Sequence, residues 1–186
     1  MNLRLLTIDG PGGLLGLLLS VFQVGAAPNI ALKPTGNADQ FVEVSDSPAY
    51  DFGTNLTVEA WLFVPDTANY PNDVSHWDQF KTALGKRGPD GGTGFRLGLF
   101  LPFFAFEVND GIRRNHFVGS LGTVSFDNWM HVAATYDGNS VEIFLNGKFR
   151  GRSTNPGPPQ VMQKSTFPFL IGKEGNDGIS GHYPWT

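Results

Sequence analysis

The chain is 186 residues long with a formal net charge of −4 and 16% charged residues, and it has no basic stripe or run of Lys and Arg. Nucleic-acid binding through phosphate neutralisation is therefore excluded. With 24 Gly, 13 Pro, 16 Phe and no Cys, the profile is that of a turn-rich, aromatic-packed all-β protein without a disulfide framework, a thiolate metal site or a Cys nucleophile.

The length suits one globular domain, expected over 28–186, after an extension at 1–27. As a secretory signal peptide the extension has Arg4 as its basic end, Gly12 to Phe22 as its apolar segment, and Val24-Gly25-Ala26-Ala27 as a small-residue cleavage site ahead of Pro28, with Asp9 as the flaw. A stable membrane span is not expected, because the apolar run Leu14 to Leu19 is short and flanked by glycines, Pro11, Ser20 and Gln23. LRLLTIDGPGGLLGLLLSVFQ also resembles the opening strand and glycine-rich oxyanion loop of patatin-like phospholipases, whose pattern is DGGGxRG. Pro11 replaces a glycine whose amide would face the oxyanion, Leu15 stands where that family has arginine, and the chain contains no G-x-S-x-G nucleophile elbow. Acyl hydrolysis is not expected, and the extension reads as either a signal peptide or a patatin-like remnant.

From Asn29 the globular pattern of strands and turns begins, with a turn at Gly36-Asn37. Gln40 to Val44 alternates as a short strand and Ser45 to Tyr50 reads as a loop. Leu56 to Val64 is the longest predicted strand, with Leu56, Val58, Ala60, Leu62 and Val64 on one face and Thr57, Glu59, Trp61 and Phe63 on the other, both faces partly covered. Residues 65–80 form a long connection carrying Tyr70, His76 and Trp77. Further strands are predicted at Thr82 to Lys86, Phe95 to Leu101 and Phe103 to Val108, at Phe117-Val118 and Val124-Ser125 on either side of a turn, and at Phe167 to Gly172. Between them, Trp129 to Gly151 is a β-meander. Its turns are expected at Asp137-Gly138 and Asn146-Gly147, dipeptides that tolerate the positive φ of two-residue hairpins. Such a meander needs a second layer to bury its apolar face, which predicts a two-sheet antiparallel β-sandwich.

Sugar cleavage needs two carboxyls about 5 to 10 Å apart, but Glu59 and Glu142 have no carboxyl two residues away. Both are read as members of solvated strand faces, and no catalytic residue is assigned. His131 alternates as a sheet residue, while His76, His116 and His182 read as loop residues without metal-ligand spacing. Trp61 and Trp129 fall within strand patterns and are expected in the core. Trp77 and Trp185 lie among loop residues, where an aromatic plane can stack on a sugar ring, and are the candidate ligand-binding residues. Asn55-Leu56-Thr57 is a glycosylation sequon, meaningful if the source is eukaryotic and the protein secreted.

In order, FGTNLTVEAWLFV, ALGKRG, FRLGLF, FFAFEVNDG, WMHVAATYDGNSVEIFLNGKFRG and FLIGKEG resemble the laminin-G-like, concanavalin A-like jelly-roll domain over Asn29 to Trp185. The resemblance implies two antiparallel sheets packed face to face. It also implies a rim Ca2+ with Asp39 as one oxygen ligand, although Asp39 reads equally well as a turn residue. In the family a further strand follows the segment matching GHYPWT, so the fold is expected to lack its usual last strand and to self-associate through an open edge. The function implied is a non-catalytic, secreted binding module for carbohydrate or glycoprotein ligands. The alternative is a fragment of a patatin-like lipid acyl hydrolase, or of a glycan-active enzyme carrying this domain as an accessory.

Overall fold

A computed structural model of the chain describes residues 41–64, 80–87, 93–100, 102–111, 115–122 and 124–172. The extension 1–27 and the predicted site residues Asp39, Trp77 and Trp185 lie outside the described residues, as do His76 and His182.

The described strands are β1 (Val42–Val44), β2 (Leu56–Phe63), β3 (Lys81–Arg87), β4 (Thr93–Phe100), β5 (Phe103–Asp110), β6 (Asn115–Gly119), β7 (Trp129–Tyr136), β8 (Ser140–Leu145), β9 (Lys148–Thr154) and β10 (Phe169–Ile171). They form a six-stranded sheet, β1-β10-β3-β4-β5-β6, and a four-stranded sheet, β2-β7-β8-β9, with every pairing antiparallel. The all-β sandwich expected from the alternation is thus the observed architecture. Ser45 to Tyr50 departs from a plain loop: Pro48–Tyr50 is a 3-10 turn whose first free amides are met by Ser47, the side chain accepting from Ala49 N.

Period-2 alternation builds the core directly. Leu56, Val58, Ala60 and Leu62 of β2, and Met130, Val132, Ala134 and Tyr136 of β7, point inward against Phe95, Leu97 and Leu99 of β4 and Phe104, Phe106 and Val108 of β5. The β6 and β9 edges meet closely at one flank. Leu121 N donates to Arg150 O at 2.7 Å, and a Cβ on Gly151 would stand 2.8 Å from Gly119 O, so that approach requires a glycine.

The two meander turns differ from one another. Asn146 and Gly147 both take positive φ, 49° and 74°, in the two-residue turn expected. The first turn instead spans three residues, 137–139. Asp137 Oδ1 accepts from Asn139 N and Ser140 N at 2.9 and 2.6 Å, and this local capping stabilises the longer loop. Gly138 takes φ 89° there, and its carbonyl receives Gln160 N at 2.8 Å, tying the turn to the segment that covers this end of the sandwich.

Val124-Ser125 forms no strand; Val124 N donates to Pro102 O, a backbone bond between distant stretches of the chain. His116 is not a loop residue. It lies in β6 opposite Val108, is buried at 1% exposure and packs edge-on against Tyr136, because the inward phase of β6 carries it into the interior.

Candidate functional site

The two sheets differ in what they do with their outer faces. On the six-stranded sheet, Arg96 of β4 and Glu107 of β5 alternate away from the core yet are buried. Arg96 Nε donates to Glu107 Oε2 at 2.5 Å and Arg87 Nη1 donates to the same oxygen at 2.8 Å, while the Arg96 guanidinium lies 4.1 Å from the centre of the Phe80 ring. A carboxylate shared by two guanidinium groups is a satisfied buried charge. This cluster is closed to a large ligand.

The outer face of the four-stranded sheet is open and aromatic. Trp61 is 45% exposed, Phe63 39%, Trp129 47% and Phe149 54%. This corrects the expectation that Trp61 and Trp129 belong to the core. The inward phase of β2 and β7 is already filled by aliphatic residues and Tyr136, and alternation therefore turns both indoles outward.

The register arranges this face in rows. Phe63 is opposite Trp129, with ring centroids 5.6 Å apart. Trp61 is opposite His131, with centroids 5.3 Å apart. The next row runs Glu59, Ala133, Phe144, Phe149, and Phe144 and Phe149 meet edge to face at 5.8 Å. Beyond it lies the row Thr57, Thr135, Glu142, Arg152, and then Ser140 opposite Thr154, whose hydroxyls lie 2.9 Å apart. One half of the sheet is therefore an aromatic platform and the other half is polar.

Two side-chain pairs mark this gradient. His131 Nε2 lies 3.2 Å from Glu59 Oε2, across the ladder and one row displaced. The two carboxylates read as lone solvated residues are each engaged by a neighbour: Glu59 by His131, and Glu142 by Arg152, whose Nε donates to Oε1 at 2.7 Å and whose Nη2 donates to the same oxygen. The His131 backbone is fixed by Asn146, which accepts from His131 N through Oδ1 at 2.9 Å and donates its own amide to His131 O at 2.8 Å. Asn55, the sequon residue, is exposed immediately before β2, and Thr57 shares the polar end of the same face.

Among the described residues, no three His, Asp or Glu side chains are placed to hold a metal ion. Among the same residues, no helix is long and apolar enough to cross a membrane.

A six-stranded sheet packed on a four-stranded one, with every neighbour antiparallel, defines a jelly-roll type β-sandwich. The chain belongs to the concanavalin A-like lectin/glucanases superfamily, whose Laminin_G_3 family model matches residues 35–185. Solved structures agree in fold. Domains LG4-5 of the mouse laminin α1 chain superpose with a TM-score of 0.52 at 14% identity, over 78% of this chain and 33% of theirs. The binding domain of Paraclostridial Mosquitocidal Protein 1 gives 0.59 at 15% identity, over 76% of this chain and 35% of that one. A proposed carbohydrate binding protein from Bacteroides ovatus gives 0.52 at 21% identity, over 84% and 41%. The chain thus spans 33% to 41% of the length of these structures. No curated protein matches it.

Proposed function

We propose that this chain is a non-catalytic binding module, displayed outside the cell, that recognises carbohydrate or glycoprotein ligands on the outer face of its four-stranded sheet. The observation that carries the reading is the exposure of Trp61, Phe63, Trp129 and Phe149 on one side of one sheet, beside hydrogen-bonding groups. An aromatic face is apolar and electron-rich, which suits the C–H face of a pyranose, and rigid rings lose little conformational entropy on contact. A grouped aromatic surface of this kind also marks an interaction site, where singly scattered apolar residues do not. Membership of a superfamily that includes lectins and the fold shared with a proposed carbohydrate binding protein support the same reading.

Trp77 and Trp185 extend the proposal as further stacking residues, and Asn55 extends it as a glycan acceptor in a secreted eukaryotic setting. The rim calcium implied by the family needs several converging oxygen ligands. Asp39, the ligand that the resemblance implies for it, lies outside the described residues, and the proposed recognition is built without the ion.

The test is binding of the purified full chain to an array of glycans, repeated with Trp61→Ala and Trp129→Ala. A glycan bound by the wild type and weakened about tenfold or more in each variant, as expected for the loss of a central aromatic contact, supports the proposal. Absence of any bound glycan, or binding indifferent to both substitutions, overturns it.

A further inference from the structure

We infer that Glu59, oriented by His131, is the polar contact that sets the ligand class, selecting neutral or amino sugars and rejecting uronic, sialylated or sulfated ones. The inference rests on the reading of the aromatic face as a sugar-binding surface and names the chemistry of its ligand.

The sheet register places Glu59 where a sugar on Trp61 would need a partner. Glu59 precedes Trp61 by two residues on the same face of β2, hence about 7 Å along the strand, a separation comparable to one pyranose ring. Its cross-strand neighbour is Ala133, and the residue beyond that is Phe144. The smallest side chain of the row thus stands between a carboxylate and an aromatic ring, with the Trp61–His131 ring pair on the adjacent row. This makes a low point in the platform, flanked by rings and lined on one side by a hydrogen-bond acceptor.

The carboxylate keeps capacity for a ligand. The contact with His131 engages Oε2, and a carboxylate offers roughly four acceptor sites over its two oxygens. His131 lies against the indole at 5.3 Å and its backbone is held by Asn146, so the Glu59 head group has a defined position instead of sweeping solvent. Adjacent hydroxyls of a neutral sugar, or the ammonium of an amino sugar, can donate to a carboxylate held in this way.

Charge supplies the selectivity. Among the described residues of this face, the guanidinium of Arg152 is engaged by Glu142, and the pairing partner of Glu59 is an imidazole. The chain as a whole carries −4. A sugar carboxylate or sulfate seated on Trp61 would face the Glu59 carboxylate, and like-charge juxtaposition at a partly desolvated contact works as a filter.

The experiment measures affinities of the full chain for three probes, chitotetraose, cellotetraose and a heparin tetrasaccharide, in wild type, Glu59→Gln and Trp61→Ala. Glu59→Gln keeps the shape and a carbonyl acceptor and removes the charge. Melting curves of both variants establish that each is folded. The expected result is wild-type binding of at least one neutral probe about tenfold or more above heparin. In Glu59→Gln the neutral affinity should fall about tenfold, the loss of one charge-assisted hydrogen bond, and the gap to heparin should narrow. Trp61→Ala should abolish binding. Trp61-dependent binding in which Glu59→Gln changes the neutral affinity less than twofold, or in which the wild type prefers heparin, overturns the assignment of Glu59 and leaves the sugar face standing. Binding that ignores Trp61, or capture of none of the probes, overturns both.

Discussion

The Lys86 ammonium lies 2.8 Å from Asp46 Oδ1, and the lysine side chain is 3% exposed. The same nitrogen donates to Ser165 O at 2.7 Å and reaches Asp51 Oδ1 at 3.4 Å. Three separate stretches converge on one buried charge: the connection from β1 to β2, the end of β3 and the segment leading into β10. Removing the lysine would take this donor from Asp46 and the Ser165 carbonyl and leave Asp51 to Lys164, whose Nζ lies 3.4 Å from Oδ2. Because Asp46 is itself one-third exposed, solvent softens the loss. Lys86→Met is expected to cost about 2 kcal/mol, and Asp46→Asn clearly less. Equilibrium denaturation of the two variants checks the order, and equal or reversed losses would contradict it.

Inward and outward residues of one sheet should respond differently to truncation. Ile143 is fully buried between the sheets, and Ile143→Ala is expected to cost about 2–5 kcal/mol. Trp61, two strands away on the outside, should cost less than about 1 kcal/mol on truncation and abolish ligand binding instead. A shift of about 2–4 °C in Tm per kcal/mol for a chain of this size makes the contrast measurable by thermal melts. A large Tm loss in Trp61→Ala would place that indole in the folding core.

Gly98 of β4 stands where its partner strand comes too close for a side chain. A Cβ there would lie 2.0 Å from Lys81 O and 2.7 Å from the Phe80 ring, at the point where the β3–β4 register shifts between Thr82 and Leu84. Gly98→Ala is expected to destabilise by about 1–3 kcal/mol through overpacking. Gly53→Ala is the control: nothing lies within 4 Å of a Cβ at that position, so it should be neutral or stabilise by up to about 1 kcal/mol. Similar effects of the two substitutions in urea denaturation would contradict the steric account.

Burial at the start of β3 lowers the pKa of Lys81 below the ordinary lysine value. The sign follows from proton linkage. Between that lowered value and the ordinary value of about 10.4, the unfolded chain holds a proton that the folded chain has released, so stability rises with pH. Below the window both states are protonated and the full cost of burying the charge is present. The stability difference between Lys81→Met and the wild type should therefore shrink as pH rises through this window, as read from denaturation midpoints. Parallel pH curves for the two proteins would contradict it.

Most of the fold was legible because alternation is a local signal. Leu56 to Val64 and Met130 to Tyr136 declare their inward faces residue by residue, and Asn146-Gly147 declares its turn. The site was less legible because two Trp residues in strands read as core by hydrophobicity alone. The deciding information lay one position away: each strand already had a complete apolar inward face, leaving Trp61 and Trp129 only the opposite one. What no local pattern contains is the pairing of Trp61 with His131 and of Glu59 with the same imidazole, since those contacts depend on the register between strands some 70 residues apart in the chain. His116 was missed for a related reason. A five-residue strand has too few alternations to announce which phase is buried.

The central claim is the location of the ligand surface, and amide and indole N–H chemical shifts test it most directly. The isotope-labelled full chain would be titrated with the tightest-binding oligosaccharide from the glycan array. The predicted result is a set of saturable shifts concentrated at Glu59, Trp61, Phe63, Trp129, His131 and Ala133, with the residues around Arg96 and Glu107 on the other sheet undisturbed. Saturable shifts that leave β2 and β7 silent and gather elsewhere would contradict the account.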